Sequence, residues 1–288
     1  MHARTQEVNV DDWSDGRLTQ VWGPRGAIYL IPKEDLGVFT LGLLPRDEER
    51  AADLGRQARR VLRMLDGRPQ STRAILEAVP TLSSIRELLW TATTGWFLPI
   101  WDAAATAVYP AEPADADREE CRIELGRRFL HYLGPSTTKG LQWWTGSSDA
   151  DAVATMAALG PELATVTVDG EEVLMLAEDV EAALSAPPPE GLHLLPPDDP
   201  YINRLCGALL LPDAKEYRML YPQAPLPGAI VVDGTVVGVW RRRRRRFTIT
   251  QFETKIPLDL KERIAEAARS LPLPGDPDET VVDWDGDL

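Results

Sequence analysis

Residues 118–176 read "REECRIELGRRFLHYLGPSTTKGLQWWTGSSDADAVATMAALGPELATVTVDGEEVLML". The period of this stretch changes along its length. "REECRIELGRRFLHYLG" sets Ile123, Leu125, Phe129, Leu130 and Leu133 at helical spacing, which predicts an amphipathic helix stopped at Gly134. A short second helix, "STTKGLQWWTG", follows Pro135. "DADAVATMAALG" predicts a third, with Val153, Met156 and Leu159 on its apolar face. Then the period becomes two. Val166 and Val168 alternate with Thr165 and Thr167, as in a half-buried strand, and Asp169-Gly170 suits a type I′ hairpin turn.

The same order occurs upstream. "LGRQARRVLRML" places Leu54, Ala58, Val61, Leu62 and Leu65 on one helical stripe and stops at Asp66-Gly67. Ser71 caps "TRAILEAV"; Ser83 starts "SIRELLWTAT", with Ile85, Leu88 and Leu89 on one face, and Gly95 ends it. "WFLPIW" and "ATAVYP" read as two strands. Three helices and a hairpin, repeated, is the winged-helix order, in which a third helix can enter a DNA major groove. The same order also serves protein–protein contacts, because fold alone does not fix function.

The expected architecture is therefore α+β: tandem winged-helix domains with a C-terminal β-hairpin subdomain. Residues 1–45 read as a partial first winged helix, 46–113 as the second, 114–185 as the third and 186–270 as the hairpin and a closing helix. Residues 271–288 read as an acidic disordered tail. The proline-rich "SAPPPEGLHLLPPDDP" reads as a linker or a buried extended arm.

The 288 residues carry a formal charge of −14, six units of it in the tail (Asp276, Asp278, Glu279, Asp283, Asp285, Asp287), so the remainder stands at −8. A globally basic nucleic-acid binder is excluded. A locally basic one is not, because salt confines fields to about 8 Å at physiological strength. Cys121 and Cys206 are too few and too far apart for a disulfide scaffold and fit a reducing cytoplasm. His2, His131 and His193 show no metal-ligand spacing, so neither metal nor cofactor is expected. No run of about 18 apolar residues predicts a membrane span. A monomer is expected.

The local exception is "VVDGTVVGVWRRRRRRFTIT", Val231–Thr250. A hairpin signal at Asp233-Gly234 precedes Arg241, Arg242, Arg243, Arg244, Arg245 and Arg246. On a strand they alternate between faces. Neither face can then be packed on a core, because buried unpaired charge is prohibitive. If they form a bend, six charges crowd a tip. Both geometries predict a projecting, solvated hairpin end whose self-repulsion a polyanion relieves, with release of counterions. Two other readings stay open: an edge guard against strand pairing, in a chain of 26 Arg and 5 Lys, and neutralisation by the acidic tail.

Four stretches together resemble the winged-helix DNA glycosylase family of the AlkZ and YcaQ type. They are "RGAIYLIPKEDL", "GPSTTKGLQWWTG", "LLPPDDPYI" and "VVDGTVVGVWRR". The resemblance spans roughly Asp15 to Leu271. It implies tandem winged helices around duplex DNA, excision of bulky alkylated purines or unhooking of crosslinks, and a groove-probing hairpin beginning at Val231. It also implies a catalytic Gln-apolar-Gln or Gln-apolar-Asp motif upstream of the Arg25-Gly26 strand. The sequence contains no such motif, and Gln6 lacks the second member, so no catalytic residue is assigned. Ala27 and Tyr29 stand where the family has Thr and His. Asp198-Asp199, before Pro200, reads as a turn. Of Trp143 and Trp144, adjacent on a helix, one is expected in the core and the other could stack a base. Lys139 is a candidate phosphate contact. The expected partner is double-stranded DNA; the alternative is a non-enzymatic winged-helix regulator or interaction module.

Overall fold

The computed structural model describes residues 16–101, 105–223, 225–252, 256–271, 273 and 280–285. They divide between two compact units, one within Val10–Glu181 and one within Ala182–Leu288. Gln6 lies outside the described residues.

The first unit opens with a hairpin, β1 (Leu18–Trp22) and β2 (Ile28–Pro32), paired from Leu18↔Pro32 to Trp22↔Ile28. A single helical turn, α1 (Leu36–Phe39), follows. Then come α2 (Glu48–Leu65), β3 (Gln70–Ser71), α3 (Thr72–Ala78), α4 (Ile85–Ala92), β4 (Phe97–Trp101) and β5 (Thr106–Pro110). The three strands form one sheet in the order β3-β5-β4. Asp47 and Ser71 cap α2 and α3, accepting from Arg50 N and Ala74 N. The cap of α4 is Ser84, one residue beyond the expected Ser83; the Ser83 amide instead donates to the Glu87 carboxylate at 2.6 Å. Ala58, Val61, Leu65, Ile75, Leu88, Phe97 and Val108 close a core that also takes Trp22 from β1.

The order then repeats: α5 (Arg118–Leu133), α6 (Thr138–Thr145), α7 (Asp149–Leu159), β6 (Leu163–Val168) and β7 (Glu171–Leu176). The counterpart of β3 is a single antiparallel bridge, Ser136↔Leu174. Asp169 and Gly170 both adopt positive φ, as the type I′ turn requires. Ile85 and Val153, expected on buried faces, are exposed. Helical spacing aligns residues on a face but does not say where that face ends; Ile85 is the first residue of its helix, and Val153 lies off the buried stripe of Ala152, Thr155, Met156 and Leu159.

A set of arginines on α5 ties the 35–46 segment to this helix. Arg128 holds Asp35 through two bonds of 2.6 and 2.7 Å. Arg118 donates to Pro45 O at 2.8 Å. Arg122 is buried; it pairs with Glu119 at 2.5 Å and donates to Leu44 O.

A short helix, α8 (Val180–Ser185), leads into the second unit. This unit contains β8 (Leu192–Leu195), α9 (Gly207–Leu210), α10 (Ala214–Leu220), β9 (Gly228–Val232), β10 (Thr235–Arg243), β11 (Arg246–Gln251), α11 (Leu258–Arg269) and β12 (Val281–Trp284). The strands make one sheet, β12-β11-β10-β9-β8. Side-chain alternation gives it two apolar faces. Ala229, Val231, Val236 and Val239 join Leu195, Ile202, Leu211 and Leu220 on one. Ile230, Trp240, Phe247 and Ile249 join Ile264 and Ala268 of α11 on the other.

The expectation of disorder throughout 271–288 fails for residues 280–285. Acidic composition hid a period-two pattern. Val282 and Trp284 pack on the second face, while Asp283 and Asp285 alternate with them. Among the described residues, no helix is long and apolar enough to cross a membrane.

Candidate nucleic-acid interface

Two surfaces gather cations and aromatic rings, one in each unit. The first is a groove in the Val10–Glu181 unit. Its floor is set by the turn between β1 and β2, where Arg25 and Gly26 take consecutive left-handed conformations, φ 61° and 70°. Glycine is required at 26, since a Cβ there would lie 2.6 Å from Leu89 of α4 in an already unfavourable backbone region. The turn therefore sits hard against α4 and aims Arg25 across it. The Arg25 guanidinium lies 3.7 Å from the centroid of the Trp143 ring, and its Nη1 donates to Trp143 O at 3.4 Å.

Around this pair is a cavity of about 330 Å³, walled by Trp22, Arg86, Trp90 and Trp143 among others. A second cavity, of about 760 Å³, shares Leu43, Trp90 and Gly146 with it and carries Arg46 and Arg50. The arginines are not equivalent. Arg46 is tied to Glu119, and Arg50 bonds Asp53 at 3.3 Å. Arg25 and Arg86 have no carboxylate partner among the described residues. Thus "RGAIYL" and "GLQWWTG", read separately in the sequence, form one wall-and-floor arrangement. Trp144 is the core member of the tryptophan pair, buried with its ring 5.3 Å from that of Phe129. Trp143 is the half-buried one in the groove. Lys139 is exposed on α6 and is not among the lining residues. Arg86 and Trp90 were not singled out in the sequence, for they lie some sixty residues from Arg25 and more than fifty from Trp143, and only the Arg-Gly stretch carried a signal.

The second surface is the arginine tip. Arg241, Arg242 and Arg243 end β10, Arg244 and Arg245 make the turn, and Arg246 starts β11 opposite Arg243. Arg244 takes a positive φ of 56°, an unfavourable region for a residue with a Cβ. The Trp240–Phe247 ring pair, centroids 5.5 Å apart, is the last apolar layer beneath the tip. Beyond it every residue is arginine. Like charges opposed across a strand pair destabilise it, so the tip folds on the strength of the layers below. The six do not share one state. Arg242 donates to Arg244 O at 2.7 Å. Arg245 donates to Thr280 Oγ1 at 2.8 Å and Leu273 O at 2.6 Å, and Arg246 pairs with Asp283. Arg241, Arg243 and Arg244 are exposed and have no side-chain partner among the described residues.

Asp199, raised as a candidate in the sequence, is buried and accepts from the Tyr201 amide at 2.9 Å, capping a short helical turn. It is a structural turn residue.

The family model for AlkZ-like DNA glycosylases matches residues 1–271. The chain belongs to the AlkZ-like DNA glycosylase family. Among solved structures it is similar to the Streptomyces sahachiroi DNA glycosylase AlkZ, with a TM-score of 0.70 and 18% identity over 94% of this chain and 82% of that one. At that identity the likeness speaks to the fold. No curated protein matches the chain. The AlkZ-like match ends at residue 271, so β12 lies beyond the part of the chain that the family describes.

Proposed function

We propose that this AlkZ-like protein binds duplex DNA through the arginine tip of β10 and β11, as a tandem winged-helix protein acting on alkylated or crosslinked bases. The observation that carries the reading is the state of Arg241, Arg243 and Arg244: three exposed guanidiniums at the end of the β10–β11 hairpin, without side-chain partners among the described residues. A narrow groove lined by phosphates is the surface such a finger fits. Two features support the winged-helix description. α2–β3–α3–α4–β4–β5 has the expected order, and α5–α6–α7–β6–β7 repeats it with the Ser136↔Leu174 bridge in place of a short strand.

The groove around Trp143 is the second contact surface. Arg25 and Arg86 offer charge to phosphate, and the indole of Trp143 offers a face to an unstacked base. The reaction carried by the family is scission of the bond between a damaged base and its sugar. None of the groove-lining residues is a glutamine.

The test is fluorescence anisotropy of a labelled 20-base-pair duplex, intact or alkylated, across a salt series, with release of the alkylated base followed in parallel. Binding that falls linearly in log–log salt, is blind to sequence and favours the lesion supports the repair reading. Selection of one sequence from a random pool identifies a regulator instead. Full affinity in an Arg241→Ala/Arg243→Ala/Arg244→Ala variant removes the tip from the contact.

A further inference from the structure

One guanidinium of the arginine tip, that of Arg246, is already paired with a carboxylate, and that carboxylate belongs to the chain. β12 lies parallel to β11, with Arg246↔Val281, Phe247↔Val282, Thr248↔Asp283 and Ile249↔Trp284 in register. Two backbone bonds frame it: Val281 N to Arg245 O at 3.0 Å and Asp285 N to Ile249 O at 2.8 Å. Around that ladder the side chains make one ion pair and two further hydrogen bonds. Arg246 meets Asp283, Arg245 reaches Thr280 Oγ1, and Thr250 Oγ1 donates to Asp285 at 2.7 Å. Val282 and Trp284 anchor the strand in the core cluster of Phe247 and Ile249, and Lys261 lies over the Trp284 ring at 4.8 Å. The strand comes from a segment, 271–288, with six carboxylates and no basic residue.

We infer that β12 is a tethered acidic strand that competes with DNA phosphate for Arg246 through Asp283, while Thr280 just before it occupies Arg245, so that DNA engages the whole tip only after displacing it. The inference rests on the proposed binding of duplex DNA by the tip. It assigns the six arginines two roles. Arg241, Arg243 and Arg244 make the first contact; Arg245 and Arg246 are released when the tail yields. The strand is built to be displaced. It is four residues long, sits on the sheet edge, and pairs in parallel, the weaker ladder per residue. Its ion pair is solvent-exposed, with 60% and 46% of the two side chains accessible, and such pairs hold weakly. The tether offsets that weakness by raising the local concentration of the competitor. A short, high-affinity polyanion such as DNA then wins at low salt, while sparse anions do not.

The distinguishing variant is Asp283→Asn/Asp285→Asn in the full chain. It removes charge but keeps Val282, Trp284 and the ladder. Affinity for the 20-base-pair duplex is expected to rise about two- to fivefold, the range an exposed ion pair represents. The log–log salt slope is expected to steepen by about one unit, since the freed Arg246 adds a phosphate contact worth about 0.9. Hydrogen exchange provides an independent readout: the amides of 281–285 in the parental chain should lose protection when duplex is added. If the parental chain binds DNA and the variant shows the same affinity and slope, or 281–285 stay protected, the competition is overturned while DNA binding stands. If neither chain binds duplex at any salt, both readings fall.

Discussion

The Arg25 guanidinium stacks on the Trp143 indole at 3.7 Å, although 118 residues separate the two in sequence. The turn that carries Arg25 and the helix that carries Trp143 thus meet over one cavity, and Trp144, the next residue, turns into the core against Phe129. The two tryptophans should respond oppositely to truncation. Trp144→Ala is expected to cost about 3–5 kcal/mol of stability, the usual range for a large buried aromatic. Trp143→Ala should cost far less in stability and instead weaken DNA binding by about 1–3 kcal/mol, the worth of a base-stacking ring. Urea denaturation and duplex anisotropy on both variants check this. Equal losses in the two assays for both variants would refute the division of roles.

Arg122 supplies a second prediction. It is 6% exposed, and burial pulls its guanidinium below the usual arginine range, opposed by Glu119. Its bonds to Glu119 and to Leu44 O leave it charged and satisfied. Arg122→Ala is expected to destabilise the first unit by about 1–3 kcal/mol, because it leaves the Leu44 carbonyl without its buried donor, whereas Glu119, 46% exposed, keeps Arg46 and water. Arg122→Met, which keeps the aliphatic stem, should recover part of that loss. Thermal unfolding of both variants measures it.

How far these relationships could be read in advance depended on their range. The helices α2 and α5 follow from 3.6-residue spacing, and the turns at 169–170 and 233–234 follow from Asp-Gly, whose members all take positive φ. Those are local signals. The groove was not legible, because Arg25, Arg86, Trp90 and Trp143 converge only after the β1–β2 turn, α4 and α6 pack. The cap of α4 slipped from Ser83 to Ser84 because either serine could fill the role and the choice is made by where Leu88 must be buried. β12 escaped for a different reason. Its Asp content signals disorder, yet the alternate positions Val282 and Trp284 have a ready apolar face to bury against, and that face is contributed by Phe247 and Ile249, over thirty residues away.

Glu162 gives a pH dependence with a definite sign. The Arg127 guanidinium bonds both its oxygens, at 2.7 and 2.8 Å, and holds its carboxyl below the ordinary glutamate range. A folded-state pKa that is depressed contributes stability above the unfolded value, about 4.3, and loses it as pH falls through the folded value. The group is substantially exposed, so the contribution is small. The Tm difference between the parental chain and Glu162→Gln should therefore be present at neutral pH and vanish in strong acid. A difference that grows on acidification would reverse the assignment.

Gly228 links the stability of the second unit to its arginine tip. A Cβ at this position would lie 2.3 Å from the Trp240 ring and 2.4 Å from Leu195 O. Neither neighbour can yield. The carbonyl belongs to the β8–β9 ladder and accepts Trp240 Nε1 at 3.0 Å, and the indole is packed against Phe247. Gly228→Ala is expected to cost about 3 kcal/mol, the upper end for overpacking a core. The damage falls directly beneath Arg241, the residue after Trp240, and so on the layer that holds the tip in place. Duplex affinity should fall together with stability, and the near-ultraviolet circular dichroism of the tryptophans should change. An Arg241→Ala chain, by contrast, should lose affinity with that spectrum intact. If Gly228→Ala lowers stability but leaves affinity at the parental level, the tip does not depend on the Trp240–Phe247 layer for its shape.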